Sequence, residues 1–319
     1  GDHRDLHLSI RRQRQMCIRD RKKAEKSYNT VTTPDELNHF LSKIKEDTWL
    51  SIDLETTSVK TMEAEIVGLS FSIEQDSGIY IPIRHKDKSS QYFGENELEE
   101  VITLVKPVLE NPRVPKTGQN IKYDVLILNR IGIQVKGIEF DTMIAAHLLQ
   151  PGSRSYKLDK LSAEYLNYTM VPIEQLIGTG KNQISMAEVD LEDIAFYAVE
   201  DADIALQLTH VLKKRLEKEN LWEFYSKVEL PLIQILTDME YKGTYVQKDL
   251  LDKLSREYLK KIESLITEIY DLSGIEFNVN STQQLAQILF DILKLPTIRK
   301  RSTAEDVLER LKNDHPLPN

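Results

Sequence analysis

The chain has 319 residues, 40% hydrophobic and 29% charged, the profile of a soluble globular protein with one large or two ordinary domains. Its net charge of −9 argues against indiscriminate nucleic-acid binding, and a single cysteine, Cys17, excludes an intrachain disulfide and suits a reducing compartment. No apolar run approaches the ~20 residues needed to cross a bilayer, and the N-terminal arginines lack the apolar core of an export signal.

Residues 1–26 hold nine Lys/Arg against four Asp/Glu and show no usable periodicity. They read as a disordered basic tail, or as non-native sequence, since QMCIRDR resembles a translated sequencing adaptor. Both ends of the chain look like cuts. From Ser27 the text alternates between strand and helix. Tyr28 to Val31 predicts a strand, and Thr33-Pro34-Asp35-Glu36 a helix start running to about Lys45. Strands follow at Thr48 to Thr57, Glu65 to Ile73 and Gly78 to Ile83, the last two joined by EQDSG. Glu95 to Leu109 is an amphipathic helix, Val114 to Thr117 a strand, Asn120 to Arg130 a helix and Gln134 to Ile138 a strand. From Thr142 the chain is helical, with breaks at QPGSRS and IGTGKNQ. This order predicts an α/β domain with a mixed sheet flanked by helices.

Composition shifts after Lys218, placing a boundary near 214–221. Beyond it lie helices at Trp222 to Tyr241 and Asp249 to Ser273, and two more that each open on Ser-Thr, in FNVNSTQQLAQILFDIL and STAEDVLERLKN. Three parts are expected: a tail over 1–26, an α/β domain over 27–213 and an all-α segment over 214–319.

Four acidic residues stand out. In TWLSIDLETT, alternation puts Leu50, Ile52 and Leu54 on one face and Ser51, Asp53 and Glu55 on the other. Two neighbouring carboxylates repel unless something positive lies between them, and Mg²⁺ prefers such oxygen ligands. Taken alone, the stretch reads more readily as an edge strand whose acidic face meets water. In GQNIKYDVLIL, Ile121, Val125 and Leu128 form a buried helical stripe bordered by Asp124, with Asn120 one turn before it. In EVDLEDIAFYAVEDADIALQL, Asp190 is a candidate N-cap, and Ile194, Tyr197, Asp201, Ile204 and Leu208 form a stripe interrupted by one acid. A buried, isolated Asp201 would cost several kcal/mol, relieved either by a cation or by an Arg or Lys from elsewhere. Glu200 and Asp203 point away from the stripe and read as a solvated face. Four converging carboxylates would hold two divalent ions, a common clamp for displacement at a phosphodiester.

IDLET, GQNIKYD and YAVEDAD, in this order, resemble the three motifs of the proofreading domain of bacterial family A DNA polymerases, and VGLSFSIE, IEFDTM and GKNQ match as well. That domain belongs to the DEDD exonucleases of ribonuclease H-like fold, in the subclass with a tyrosine in the third motif. The helical end resembles the start of the polymerase thumb, although LPTIRKRSTAED is tighter than the usual loop there. The resemblance implies that Asp53, Glu55, Asp124 and Asp201 bind two divalent cations, Mg²⁺ or Mn²⁺, and that Tyr197 orients the attacking water, which Glu55 also touches. It implies that Gln119, Asn120 and Tyr123 hold the 3′-terminal nucleotides, that Thr56 and Val59 lie against the terminal base, and that Arg299, Lys300 and Arg301 meet duplex phosphates. The expected activity is 3′–5′ hydrolysis of single-stranded DNA ends. The expected protein is a cytoplasmic, nucleoid-associated monomer that engages primer-template duplex through the thumb and has no polymerase active site in this stretch. A vestigial exonuclease fold and a DEDD ribonuclease are the alternatives. The four acids with the tyrosine disfavour the first, and the thumb-like end disfavours the second.

Overall fold

The computed structural model describes residues 26–85, 93 and 97–319. The expected tail lies outside the described residues except at Lys26, whose side chain is only 8% exposed. Six strands form one mixed sheet: β1 (Ser27–Thr30), β2 (Leu50–Thr56), β3 (Ile66–Glu74), β4 (Ser77–Pro82), β5 (Lys116–Gly118) and β6 (Ile138–Asp141), in spatial order β1-β4-β3-β2-β5-β6. β2 runs antiparallel to β3 and parallel to β5. With a neighbour on each side it is an inner strand, and the edge-strand reading of its acids fails.

Helices cover both faces. α1 (Pro34–Leu41) starts at a capping box in which Thr33 accepts from the Glu36 N–H and Glu36 accepts from the Thr33 N–H. It ends at Ser42, one turn earlier than expected. α2 (Glu97–Leu109) and α3 (Ile121–Arg130) complete that layer. Leu37, Phe40, Val101, Val105, Ile121, Val125 and Leu128 pack on Leu50, Ile52 and Leu54, as the alternating pattern requires. α4 (Thr142–Leu149) follows β6, with short helical turns at Leu158–Leu161 and Ile173–Ile177.

The 28-residue α5 (Leu191–Lys218) lies on the opposite face and is buried on several sides by Ile194, Phe196, Val199, Ile204 and Leu208 among others. Asp190 holds its N-cap position without a side-chain capping bond. Here the expectation of a solvated face at Glu200 and Asp203 is overturned, because both are fully buried. A helical wheel assumes one buried stripe, whereas α5 also packs against β1, β4 and the chain around Tyr168 and Val171.

The strand expected at Gln134 to Ile138 begins four residues later. Gly137 takes φ +72° and comes so close to the Pro112 and Val114 carbonyls that a Cβ would sit 2.8 and 2.7 Å from them. Its own carbonyl accepts the Lys116 N–H, and pairing with β5 starts only beyond this turn.

A π-turn at Tyr225–Glu229 leads into α6 (Leu230–Lys242). Tyr225 and Ile233 are buried in the cores built around the sheet, and the first compact unit ends at Gly243, beyond the composition shift. The second unit, Thr244–Asn319, contains α7 (Lys248–Ser273), α8 (Thr282–Ala286) and α9 (Glu305–Leu311) around Ile288, Leu289, Phe290, Val307 and Leu311. Ser281 caps α8 by accepting the Gln284 N–H, but α9 starts at Ala304 without a side-chain cap. Arg301 forks onto Asp291 at 2.9 and 2.6 Å and Arg299 pairs with Asp306 at 3.3 Å, so both arginines expected at phosphates have carboxylate partners.

Candidate metal centre

β2 carries Asp53 and Glu55 on the face that meets α5, and α5 supplies Asp201. The carboxylate oxygens of these three side chains lie within 4.8 Å of one another. Glu55 is buried, and Asp53 and Asp201 are half-buried. Burial pushes the Asp53 carboxyl up to about 7, against a hydrogen bond from the Ser70 hydroxyl at 3.5 Å. Burial and then the Asp53 charge raise Glu55, while burial, Asp53, Glu55 and Glu200 raise Asp201 well above the usual carboxylate range. No lysine or arginine among the described residues holds any of the three down. That removes the protein-cation alternative for Asp201. An all-oxygen, mutually repelling donor set with no protein counter-charge fits a hard divalent cation.

Asp124 reaches the same strand from the other side of the sheet. It is buried on α3, next to the Leu54 backbone. Burial and the Asp53 charge push its carboxyl up. It stands outside the tight group of three yet shares its field.

Tyr197, one turn before Asp201, sets its hydroxyl beside that carboxylate, close enough for each to shift the other's titration. Burial and the charges of Asp201, Glu55 and Asp53 raise the phenol far above its ordinary value, so it remains a hydrogen-bond donor across the whole neutral range. The hydroxyls of Thr56 and Tyr123 meet at 2.6 Å, and Tyr123 donates to the Ser58 carbonyl at 2.6 Å. Val59 beyond them is 90% exposed, an apolar side chain presented to solvent beside the carboxylates' strand. Asn120 is the N-cap residue of α3 in the left-handed region at φ 55°, which asparagine tolerates. Gln119 donates to the Tyr156 carbonyl at 2.8 Å and accepts from the Thr142 hydroxyl, which turns its amide toward α4.

Two buried residues escaped the sequence reading. Asp141 ends β6 and caps α4, accepting the Ile144 N–H at 2.9 Å and, across the fold, the Ile121 N–H at 2.8 Å. It thereby fixes the start of the helix that carries Tyr123 and Asp124, and burial pushes it up to about 6. An aspartate directly before the apolar-periodic TMIAAHLL is an N-cap signal that was there to be read. Tyr80 lies under Glu55 and Asp53, whose charges raise its phenol after burial does, and its hydroxyl meets His85 Nε2 at 3.0 Å. It fits because Gly68 has no side chain: a Cβ there would fall 2.2 Å from the Tyr80 hydroxyl.

Residues 28–217 match the family described as 3′-5′ exonuclease, and residues 248–319 match DNA polymerase family A. The chain belongs to this exonuclease family. Its mixed sheet flanked by helices is accordingly ribonuclease H-like, as expected, and a helical segment follows it. Among curated relatives, DNA polymerase I of Pseudomonas aeruginosa is 34% identical over 92% of this chain and 33% of its own length. DNA polymerase I of Chloroflexus aurantiacus is 38% identical over 88% of this chain and 30% of its own. The chain thus spans about a third of the relatives it matches. A solved structure of the polymerase domain of Pol1 from M. smegmatis, in complex with DNA primer-template and dNTP, aligns with TM-score 0.66 at 25% identity, covering 91% of this chain and 46% of that one. No helix among the described residues is long and apolar enough to cross a membrane.

Proposed function

We propose that this exonuclease-family chain removes 5′-mononucleotides from the 3′ end of a DNA strand by hydrolysis that requires divalent cations. The observation that carries the reading is the meeting of Asp53, Glu55 and Asp201 within 4.8 Å, with Tyr197 one helical turn before Asp201. Asp53, Glu55 and Asp201, with Asp124 beside them, would hold two Mg²⁺ or Mn²⁺ ions. Bound there, the cations supply charge neutralisation at the scissile phosphate.

The remaining work falls to the protein. Tyr197, still protonated, orients the attacking water and Glu55 accepts a hydrogen bond from it. Water oxygen bonds to phosphorus as the bond to the departing 3′ oxygen breaks, and that oxygen takes up a proton. Thr56 and Val59 lie against the terminal base, while Asn120 and Tyr123 border the path of the last nucleotides, with Gln119 fixing the loop beneath them. Residues 27–213 carry this chemistry. The segment 214–319 belongs to the opening of a family A polymerase thumb that meets primer-template duplex. The protein would act as a monomer in the bacterial cytoplasm, proofreading during DNA replication and repair.

A single-stranded oligonucleotide labelled at its 5′ end tests direction and metal dependence together. Mg²⁺ or Mn²⁺ should give a ladder shortening one nucleotide at a time, and EDTA should abolish it. Digestion that removes the 5′ label first, or that continues in EDTA, would sink the reading.

A further inference from the structure

Behind α5, on the side turned away from the carboxylate cluster, lies a second set of buried charges. Asp203 follows Asp201 by two residues, about 200° around the helix, and is fully buried. Its Oδ2 accepts the Tyr28 hydroxyl of β1 at 2.5 Å, and its Oδ1 accepts the Asp76 N–H from the β3–β4 turn at 3.0 Å and Gln207 at 2.9 Å. Lys26 is 3.8 Å from Asp203 Oδ2 and donates to the hydroxyls of Tyr28 at 2.9 Å and Tyr168 at 2.8 Å. Tyr168 in turn donates to Glu200 at 2.6 Å, and Glu200 also accepts the Val171 N–H at 2.7 Å.

Three separate pieces of chain therefore hold α5 by the residues flanking Asp201: the start of β1, the β3–β4 turn and the segment Tyr168–Val171. β3 pairs directly with β2, which bears Asp53 and Glu55. The turn that grips Asp203 belongs to the same hairpin that abuts those carboxylates. A helix presenting Tyr197 and Asp201 must hold them to about 0.5 Å, and the apolar packing of Ile194, Phe196 and Ile204 is not directional. Hydrogen bonds to a buried carboxylate are.

We propose that Lys26, Tyr28 and Asp203 form a positioning latch that sets the rotation of α5, holding Tyr197 and Asp201 in register with Asp53 and Glu55. The proposal rests on the metal-centre reading above and adds residues that touch neither substrate nor metal. Tyr28→Phe is the mildest probe, since it deletes one hydroxyl and keeps the ring packed on Phe196 at 5.3 Å. Asp203→Ala is the stronger one.

The latch predicts that Tyr28→Phe binds Mn²⁺ about tenfold more weakly than wild type, measured by electron paramagnetic resonance, because a loosened α5 no longer holds Asp201 in register with Asp53 and Glu55. It also predicts a fall of tenfold or more in kcat on single-stranded DNA, with KM for DNA unchanged. In a Tyr197→Phe background the same change should cost less in kcat, because the share that runs through that hydroxyl is already gone, while the loss of Mn²⁺ affinity that runs through Asp201 persists. If Asp203→Ala fails to fold, Tyr28→Phe carries the test alone. Wild-type Mn²⁺ affinity in folded Tyr28→Phe overturns the latch and leaves the metal centre standing. Undiminished loss of kcat in the Tyr197→Phe background also overturns it. A wild-type chain that binds no Mn²⁺ overturns both readings.

Discussion

Replacing Asp53 by asparagine should make the metal-free protein more stable. The side chain keeps its shape, and its amide oxygen still accepts the Ser70 hydroxyl, but a charge confined among Glu55, Asp124 and Asp201 is gone. The displacement of the native carboxyl from 3.8 to about 7 sets a ceiling of about 4 kcal/mol at alkaline pH. Relaxation around a half-buried group brings the expected gain to about 2 kcal/mol, or about 4–8 °C in Tm for a domain of this size. The sign follows from linkage: the native carboxyl titrates above the unfolded one, so the native state holds more protons between pH 3.8 and about 7. Wild-type stability is therefore lost as pH rises through that window. Thermal melts in EDTA should show the variant ahead at pH 8, a gap less than half as large at pH 5, and none below about pH 4. An Asp53→Asn protein that melts lower than wild type at pH 8, or a gap indifferent to pH, would refute the account of mutually repelling buried acids.

Asp201→Asn should also melt above wild type in EDTA, and Mn²⁺ should raise the Tm of wild type but hardly that of the variant, so that the order narrows or reverses as metal is titrated in. A variant melting lower in EDTA would mean that Asp201 has a stabilising protein partner. Tyr197→Phe should slow hydrolysis at least tenfold with Mn²⁺ affinity nearly intact, in the range for losing a group that positions a reacting proton; metal binding lost to the extent seen in Asp201→Ala would remove the orienting role. Gly118→Ala should destabilise by about 1–3 kcal/mol in urea melts, the usual cost of overpacking, because its Cβ would sit 2.8 Å from the Ile52 carbonyl across the β2–β5 pair. Unchanged stability there would show that the two strands separate without penalty.

The cluster was legible where a simple period met a charge that did not belong. Asp53 and Glu55 broke the expectation for a strand with buried neighbours, and Asp201 broke a three-four stripe of apolar residues. These are the three side chains whose oxygens converge. Glu200 and Asp203 were misread because a single-stripe helix is the usual case, and nothing local announces that α5 is enclosed from the side as well. β6 was misplaced because Gly137 looks like an ordinary loop residue until the backbone of Pro112 and Val114 is seen against it. The first compact unit runs on to Gly243 because Tyr225 and Ile233 fill the cores around the sheet, and nothing local distinguishes them from apolar neighbours such as Phe224 and Ile235 that stay exposed.

The central claim is that Asp53, Glu55 and Asp201 act together with divalent cations to cut the last phosphodiester of a DNA strand. Release of the terminal mononucleotide from a 3′-labelled single strand, followed in Mn²⁺ under single-turnover conditions, tests it most directly. Wild type should free the labelled nucleotide first, and only with metal present, while Asp53→Asn and Asp201→Asn, both folded, should fall by at least a hundredfold, as expected when a ligand of a cation-dependent site is lost. Release by either variant at the wild-type rate, or release by wild type in EDTA, would contradict it.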